Sequence, residues 1–266
     1  MNNENFSENF CWSFSRLSSF EKCKHAFYLK YKKGIEPVPT QAMIRGKERH
    51  LFLEKNIRVY KGMKGYDELR REDLKALKKV QENFVKRDNK FIKTEIQLEV
   101  DRLGKKVKPG TGKGWLTGIL DAVIMHSRSR FPRKLIPCPT GEQGKMVEVE
   151  EGGGGQTILE YKTGNSNYFS KQQVELYAVL ARLVFNWGMD TRVVVIFPYN
   201  KYQNFTFLFS DKELDMKWEQ LREKLIFFES KIFDSRGKWL GEEEFPPTIS
   251  ACQGCLFWNK CKYFYV

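Results

Sequence analysis

Three cysteines crowd into one short stretch near the C-terminal end, Cys252-Gln-Gly-Cys255-Leu-Phe-Trp-Asn-Lys-Cys261, with the spacing Cys-x2-Cys-x5-Cys. Packing does not gather thiols this closely, whereas a soft metal centre does, and such a centre takes four ligands. Among the six cysteines of the chain, Cys23 is the expected fourth: aromatic residues surround both segments, and the ends of a compact domain often meet. The four suit either a 4Fe–4S cluster or tetrahedral zinc. Cys11 and Cys138 lack such company and are expected to be free thiols. Six cysteines in 266 residues are too few for a disulfide scaffold and fit a reducing compartment.

Lys and Arg number 46 against 33 Asp and Glu, a net charge of +13 and a pI near 9.4. That balance attracts polyanions, since each phosphate contact releases condensed counterions. Hydrophobic residues make up 41% and aromatics 14%, enough for a packed core and too many for a disordered chain. No run approaches the roughly 18 apolar residues of a membrane helix, and the polar start MNNENFSENF lacks the layout of a secretion signal. A soluble, cytoplasmic protein without a membrane partner is expected.

Apolar spacing predicts a first helix through Leu17, Phe20, Phe27, Tyr28 and Tyr31, capped by Ser15 and stopped at Gly34. A second helix from Met43 to about Tyr60 carries His50, and a third runs from Asp67 to about Arg87. Strands are expected at Glu95–Val100, Trp115–Met125, Thr157–Lys162, Arg192–Phe197 and Asn204–Phe209. Helices are expected at Ser170–Trp187 and Asp211–Phe233, the latter with a core stripe of Leu214, Trp218, Leu221, Leu225, Phe228 and Ile232. Between Ser127 and Gln156 the pattern dissolves into Arg, Pro and Gly, which reads as a long mobile excursion between two core strands. The order describes one mixed α/β domain over 1–266: a helical front (1–90), an α/β core (91–210) with an insertion at about 126–156, and a helix with a cysteine-bearing tail (211–266).

Glu160-Tyr161-Lys162 closes a short apolar strand, where a period of two sets carboxylate and ammonium on one face. Taken alone, such a triplet is common on solvated strands. Asp121, inside the apolar run LTGILDAVIM, is costly to bury without a cation, a lysine or a hydrogen-bond donor. If these strands are neighbours, Asp121, Glu160 and Lys162 converge on a hard-ligand site suited to Mg²⁺ or Mn²⁺. His50, in Gly46-Lys-Glu-Arg-His50, adds an imidazole that favours Mn²⁺, and Gln173 and Tyr177 lie four residues apart on one helix face, able to brace the lysine or contact a nucleic-acid backbone.

The ordered set SFSRLSSFEKC, GKERH, GILD, EYK, QVELY and the cysteine triplet, spanning about Ser13 to Cys261, resembles the RecB-like branch of the PD-(D/E)XK nucleases, especially CRISPR-associated and phage-borne members with an iron–sulfur cluster. The resemblance implies a restriction-endonuclease-like mixed sheet flanked by helices, and a deoxyribonuclease that trims single-stranded DNA, often from the 5′ end, with some endonuclease activity. It implies that His50, Asp121, Glu160 and the Tyr161 carbonyl hold the metal, that Lys162 serves the nucleophilic water, and that Gln173 and Tyr177 belong to the site. It further implies a 4Fe–4S cluster on Cys23, Cys252, Cys255 and Cys261 that staples the tail to the first helix, and work alongside other DNA-processing proteins. Two features depart from the pattern: Lys24 follows Cys23 where proline is common, and the Asp121-to-Glu160 gap is long, with Arg128, Arg130, Arg133 and Lys134 placed to touch phosphates. The competing expectation is a non-catalytic nucleic-acid-binding module with a zinc or iron–sulfur staple.

Overall fold

The computed structural model describes residues 10–57, 71–84, 92–125, 134–137, 146–149, 156–164, 169–185, 190–200 and 203–264. Four helices come first, α1 (Phe14–Lys22), α2 (Lys24–Tyr31), α3 (Gln41–Asn56) and α4 (Arg71–Phe84). Strands β1 (Ile92–Val100), β2 (Leu116–Met125), β3 (Lys134–Pro137), β4 (Met146–Val149) and β5 (Gln156–Tyr161) follow. Helix α5 (Lys171–Phe185), β6 (Thr191–Phe197), β7 (Gln203–Phe209) and α6 (Asp211–Glu229) complete the order. None of the described helices is long and apolar enough to cross a membrane.

Five strands form one sheet in the order β1-β2-β5-β6-β7. β2 and β5 run antiparallel, β5 and β6 parallel, and β6 and β7 antiparallel. The parallel pair needs a crossover, which α5 supplies. β5 is buried at all six positions, as a central strand covered on both faces should be, and Ile158, Leu159 and Tyr161 meet that demand. Its Glu160 brings a carboxylate into the middle of the sheet.

The chain divides into two compact units. The first comprises residues up to Ile44, Glu99–Gly118 and Lys217 onward; the second comprises Arg45–Leu98 and Ile119–Met216. In the second unit, Leu53 and Ile57 of α3 and its end, Val80 of α4, and Ala122, Leu159, Tyr161 and Val194 of the sheet form one apolar cluster. Alternate residues of each strand share a face, so the cluster occupies one side while Glu160 looks to the other. Tyr199 donates a hydrogen bond to Asp73 of α4 at 2.7 Å and lies under the Arg49 guanidinium at 4.4 Å, which fixes α3 beside α4.

In the first unit, Trp12 inserts its backbone alongside β2: its N–H donates to the Trp115 carbonyl and its carbonyl accepts from Thr117, both at 2.8 Å. Its ring packs among Phe10, Phe20, Phe27 and Phe228. Glu229, only 3% exposed, ends α6 and accepts hydrogen bonds from Trp115 Nε1 and Arg102 Nη2, both at 2.6 Å. A carboxylate this buried is tolerable because both donors meet it.

Several expectations need correction. The single first helix is two, because Cys23 adopts an extended conformation (φ −161°, ψ 111°) between α1 and α2. The N-cap is Ser13, whose side chain accepts from the Arg16 N–H, rather than Ser15. α6 stops at Glu229, short of the expected Phe233, although Leu214, Trp218, Leu225 and Ile232 are buried as the stripe requires. The excursion between β2 and β5 carries a separate antiparallel hairpin, β3 with β4, pairing Leu135 with Glu148. Arg128, Arg130, Arg133 and Cys138 fall outside the described residues, as do the C-terminal end of the expected second helix and both ends of the third.

Replacing Glu229 with alanine leaves the buried Trp115 N–H without its acceptor, while the more exposed Arg102 turns to water. The expected loss is about 1–3 kcal/mol, read from urea unfolding, and Glu229→Gln, which keeps an acceptor, should lose less.

Candidate metal and nucleic-acid site

The antiparallel register of β2 and β5 pairs Ala122 with Leu159, and one step further along it Asp121 lies opposite Glu160. Opposed residues of an antiparallel pair share a face at close range. Here the ladder ends: the Tyr161 N–H donates to Asp121 Oδ2 at 2.6 Å, so a side-chain carboxylate replaces the partner strand's backbone carbonyl. β6 holds the next residue, with the Lys162 N–H donating to the Ile196 carbonyl at 2.8 Å. The Glu160-x-Lys162 triplet is thus fixed from both sides.

Lys162 Nζ donates to Glu160 Oε1 at 2.6 Å and to Gln173 Oε1 at 2.8 Å. Gln173 Nε2 donates in turn to Glu160 Oε1 at 2.9 Å and approaches the Tyr177 hydroxyl at 3.0 Å. Gln173 and Tyr177 stand one turn apart on α5, the spacing that sets two side chains on one helix face. Glu160 is 4% exposed, and its Oε2 is buried without a hydrogen-bond partner among the described residues. That lone atom is a coordination position open to a cation.

His50 Nε2 lies 2.9 Å from Asp121 Oδ1, and its ring meets the Tyr161 ring edge-on at 6.0 Å. One turn earlier on α3, a Cβ on Gly46 would stand 3.0 Å from Thr163 Oγ1, so glycine lets the helix approach the segment after Lys162 closely. A cleft of about 340 Å³ opens there, lined by Lys47, His50, Tyr161, Lys162 and Thr163. Two lysines at its wall favour an anionic occupant.

The hydrogen bond to Asp121 holds the His50 imidazole above its ordinary range, at about 9, against the opposing pull of burial. Burial, and then the Asp121 charge, push the Glu160 carboxyl up, while Lys162 draws it back down. Burial likewise raises the Tyr177 phenol. A crowd of carboxylates with one imidazole is a hard to borderline donor set, which fits Mg²⁺ or Mn²⁺.

The expected residues therefore come together: His50, Asp121, Glu160, Tyr161, Lys162, Gln173 and Tyr177 form one connected network. Glu95 was missed. Its ligand atom and those of His50 and Asp121 all lie within 4.8 Å of one another. The apolar residues Ile92, Ile96, Leu98 and Val100 alternate on one side of β1, which assigns Glu95 to the solvated face. Glu95 has a left-handed φ of +49°, a departure from regular strand geometry, and nothing in the residue pattern announces it.

In the first unit, Cys23 Sγ accepts from the Thr248 N–H at 3.5 Å, and Cys252 Sγ reaches the Thr248 carbonyl at 3.8 Å. Burial raises the Cys261 thiol, and the charges of Cys255, Cys23 and Cys252 raise it further. The four expected cysteines therefore feel one another, although they do not form a ligand group within 4.8 Å. Cys11 is a free thiol pushed up to about 12, chiefly by burial.

A family model described as the PD-(D/E)XK nuclease superfamily matches residues 11–135. The matched stretch includes Cys23, His50 and Asp121 and ends before Glu160 and Lys162. The crystal structure of SSO0001 aligns with 97% of this chain and 89% of its own at 15% identity and a TM-score of 0.44. No curated protein sequence matches the chain. The mixed five-stranded sheet with its helices is the restriction-endonuclease-like arrangement, and the matched superfamily points to a metal-dependent nuclease acting on DNA.

A cation must displace the proton of His50 to use its nitrogen. Mn²⁺ affinity should therefore rise with pH, by up to about tenfold per unit below pH 9, and calorimetry in buffers of different ionisation enthalpy should register proton release. Affinity flat across this range contradicts the assignment. In the metal-free protein, the His50–Asp121 contact contributes stability that is complete below the ordinary histidine pKa and is lost as pH rises through about 9.

Proposed function

We propose that the chain is a metal-dependent deoxyribonuclease that hydrolyses phosphodiester bonds, acting chiefly as an exonuclease on single-stranded DNA in the 5′ to 3′ direction with some endonuclease activity. The observation that carries this reading is Asp121 opposite Glu160 across β2 and β5, with Lys162 held on Glu160 by Gln173. Hydrolysis of a phosphodiester requires a positioned water and compensation of the charge that grows on the phosphoryl oxygens. His50, Asp121, Glu160 and the Tyr161 carbonyl would hold Mg²⁺ or Mn²⁺, which when bound would supply that compensation and lower the pKa of water at the site.

The remaining work belongs to side chains of this chain. Lys162, anchored by Glu160 and Gln173, orients the attacking water and faces the incoming phosphate. Tyr177 keeps Gln173 aimed at the lysine. Lys47 at the cleft wall draws the DNA backbone toward Lys162, and the net charge of +13 favours the encounter with any polyanion.

The same proposal assigns a 4Fe–4S cluster to Cys23, Cys252, Cys255 and Cys261. Mutual charge among the four thiols supports it. Such a cluster ties the tail to the break between α1 and α2 and stabilises the fold without a redox step.

End-labelled single and double strands incubated with Mg²⁺, Mn²⁺ or chelator test the activity, its metal and its polarity together. Single strands should shorten from the 5′ end with either metal and remain intact with chelator. Lys162→Ala and Asp121→Ala should each lose about 10²–10³-fold or more in rate; normal turnover by purified Lys162→Ala overturns the reading. Protein purified anaerobically should be brown, and Cys255→Ser should bleach it and lower the melting temperature; colourless protein containing zinc would contradict the cluster.

A further inference from the structure

We infer that Glu95 is a direct ligand of the cation, a fourth side chain beside His50, Asp121 and Glu160; the inference rests on the proposal that Asp121 holds a divalent metal. The ligand atoms of Glu95, His50 and Asp121 all lie within 4.8 Å of one another, near enough to share one ion, whose octahedral ligands stand roughly 3 Å apart when adjacent and roughly 4.2 Å when opposite. Glu95 Oε1 is buried without a hydrogen-bond partner among the described residues. So is Glu160 Oε2, on a side chain 4% exposed. Glu95 Oε1 belongs to the carboxylate that stands with His50 and Asp121 and lacks any donor that would offset its desolvation, and a cation is the group that satisfies it.

The backbone of β1 supports the assignment. Glu95 is the non-glycine residue with positive φ among the described residues, at +49°. A left-handed φ at a non-glycine residue departs from regular strand geometry and persists where the surroundings hold it. At this residue the carboxylate stands with Asp121 and His50. Glu160 is already engaged by Lys162 and Gln173 through Oε1, so the pairing of His50, Asp121 and Glu95 supplies three ligand atoms that make no demand on the lysine. Lys162 thereby keeps its place beside the water while the metal is held largely by the other three.

Mn²⁺ binding without DNA tests this, followed by electron paramagnetic resonance on wild type, Glu95→Gln, Glu95→Asp and Asp121→Asn, together with melting temperatures with and without Mn²⁺. Glu95→Gln should bind Mn²⁺ about tenfold or more weakly, with a smaller metal-induced rise in melting temperature and a metal-free melting temperature at or above wild type. Glu95→Asp, which keeps the charge with a shorter reach, should fall between, and it serves as the reading if Glu95→Gln does not fold. Wild-type Mn²⁺ affinity in Glu95→Gln or in Glu95→Asp, with binding lost in Asp121→Asn, overturns the role of Glu95 and leaves the metal site standing. A metal-free melting temperature that drops with an unchanged Mn²⁺ shift makes Glu95 structural and also overturns it. Undiminished binding by Asp121→Asn overturns the metal site itself.

Discussion

A buried carboxylate at the end of a sheet ladder governs this structure. Asp121 accepts the Tyr161 N–H through Oδ2 and meets His50 through Oδ1, so it serves at once as a substitute backbone acceptor and as a meeting point for α3. Leaving such a group unmet in a protein interior costs several kcal/mol. The neighbouring elements are arranged to meet it: β5 presents an amide, α3 presents an imidazole, and β1 departs from regular geometry to bring Glu95 alongside. Glu160 Oε2 and Glu95 Oε1 remain buried without a hydrogen-bond partner among the described residues after those contacts.

Rigidity follows from the same arrangement. Parallel pairing with β6 and antiparallel pairing with β2 clamp β5 on both edges, and apolar residues of α3 and α4 fill the face behind it. Glu160 and Lys162 are consequently displayed from backbone that has little freedom, a requirement for holding a water in line with a phosphodiester. Gln173 adds a second constraint, since its amide oxygen and nitrogen bind Lys162 and Glu160 in a fixed sense. Flipping that amide would set like groups against each other.

Much of this was legible in the residues because the demands are local. The apolar runs around Asp121 and Glu160 identify central strands, a period of two joins Glu160 to Lys162, and one helical turn joins Gln173 to Tyr177. The convergence of these pieces follows from the chemistry of a lone aspartate in an apolar strand once β2 and β5 are neighbours, and the two strands do pair. Glu95 was hidden because periodicity assumes regular backbone, and its location depends on one irregular dihedral. The break at Cys23 was hidden for a related reason: the apolar spacing of α1 and α2 continues across it, while the extended cysteine answers to the distant tail that supplies Thr248. The β3–β4 hairpin is composed of short segments within a Gly- and Arg-rich stretch, too brief to show a period.

The most direct measurement is an anomalous difference map from a crystal of the protein soaked in Mn²⁺. The account predicts a peak about 2–2.5 Å from Asp121 and His50, with Glu160 and Glu95 oxygens turned toward it. A well-occupied peak elsewhere, with Asp121 still bonded only to Tyr161 and His50, would contradict it.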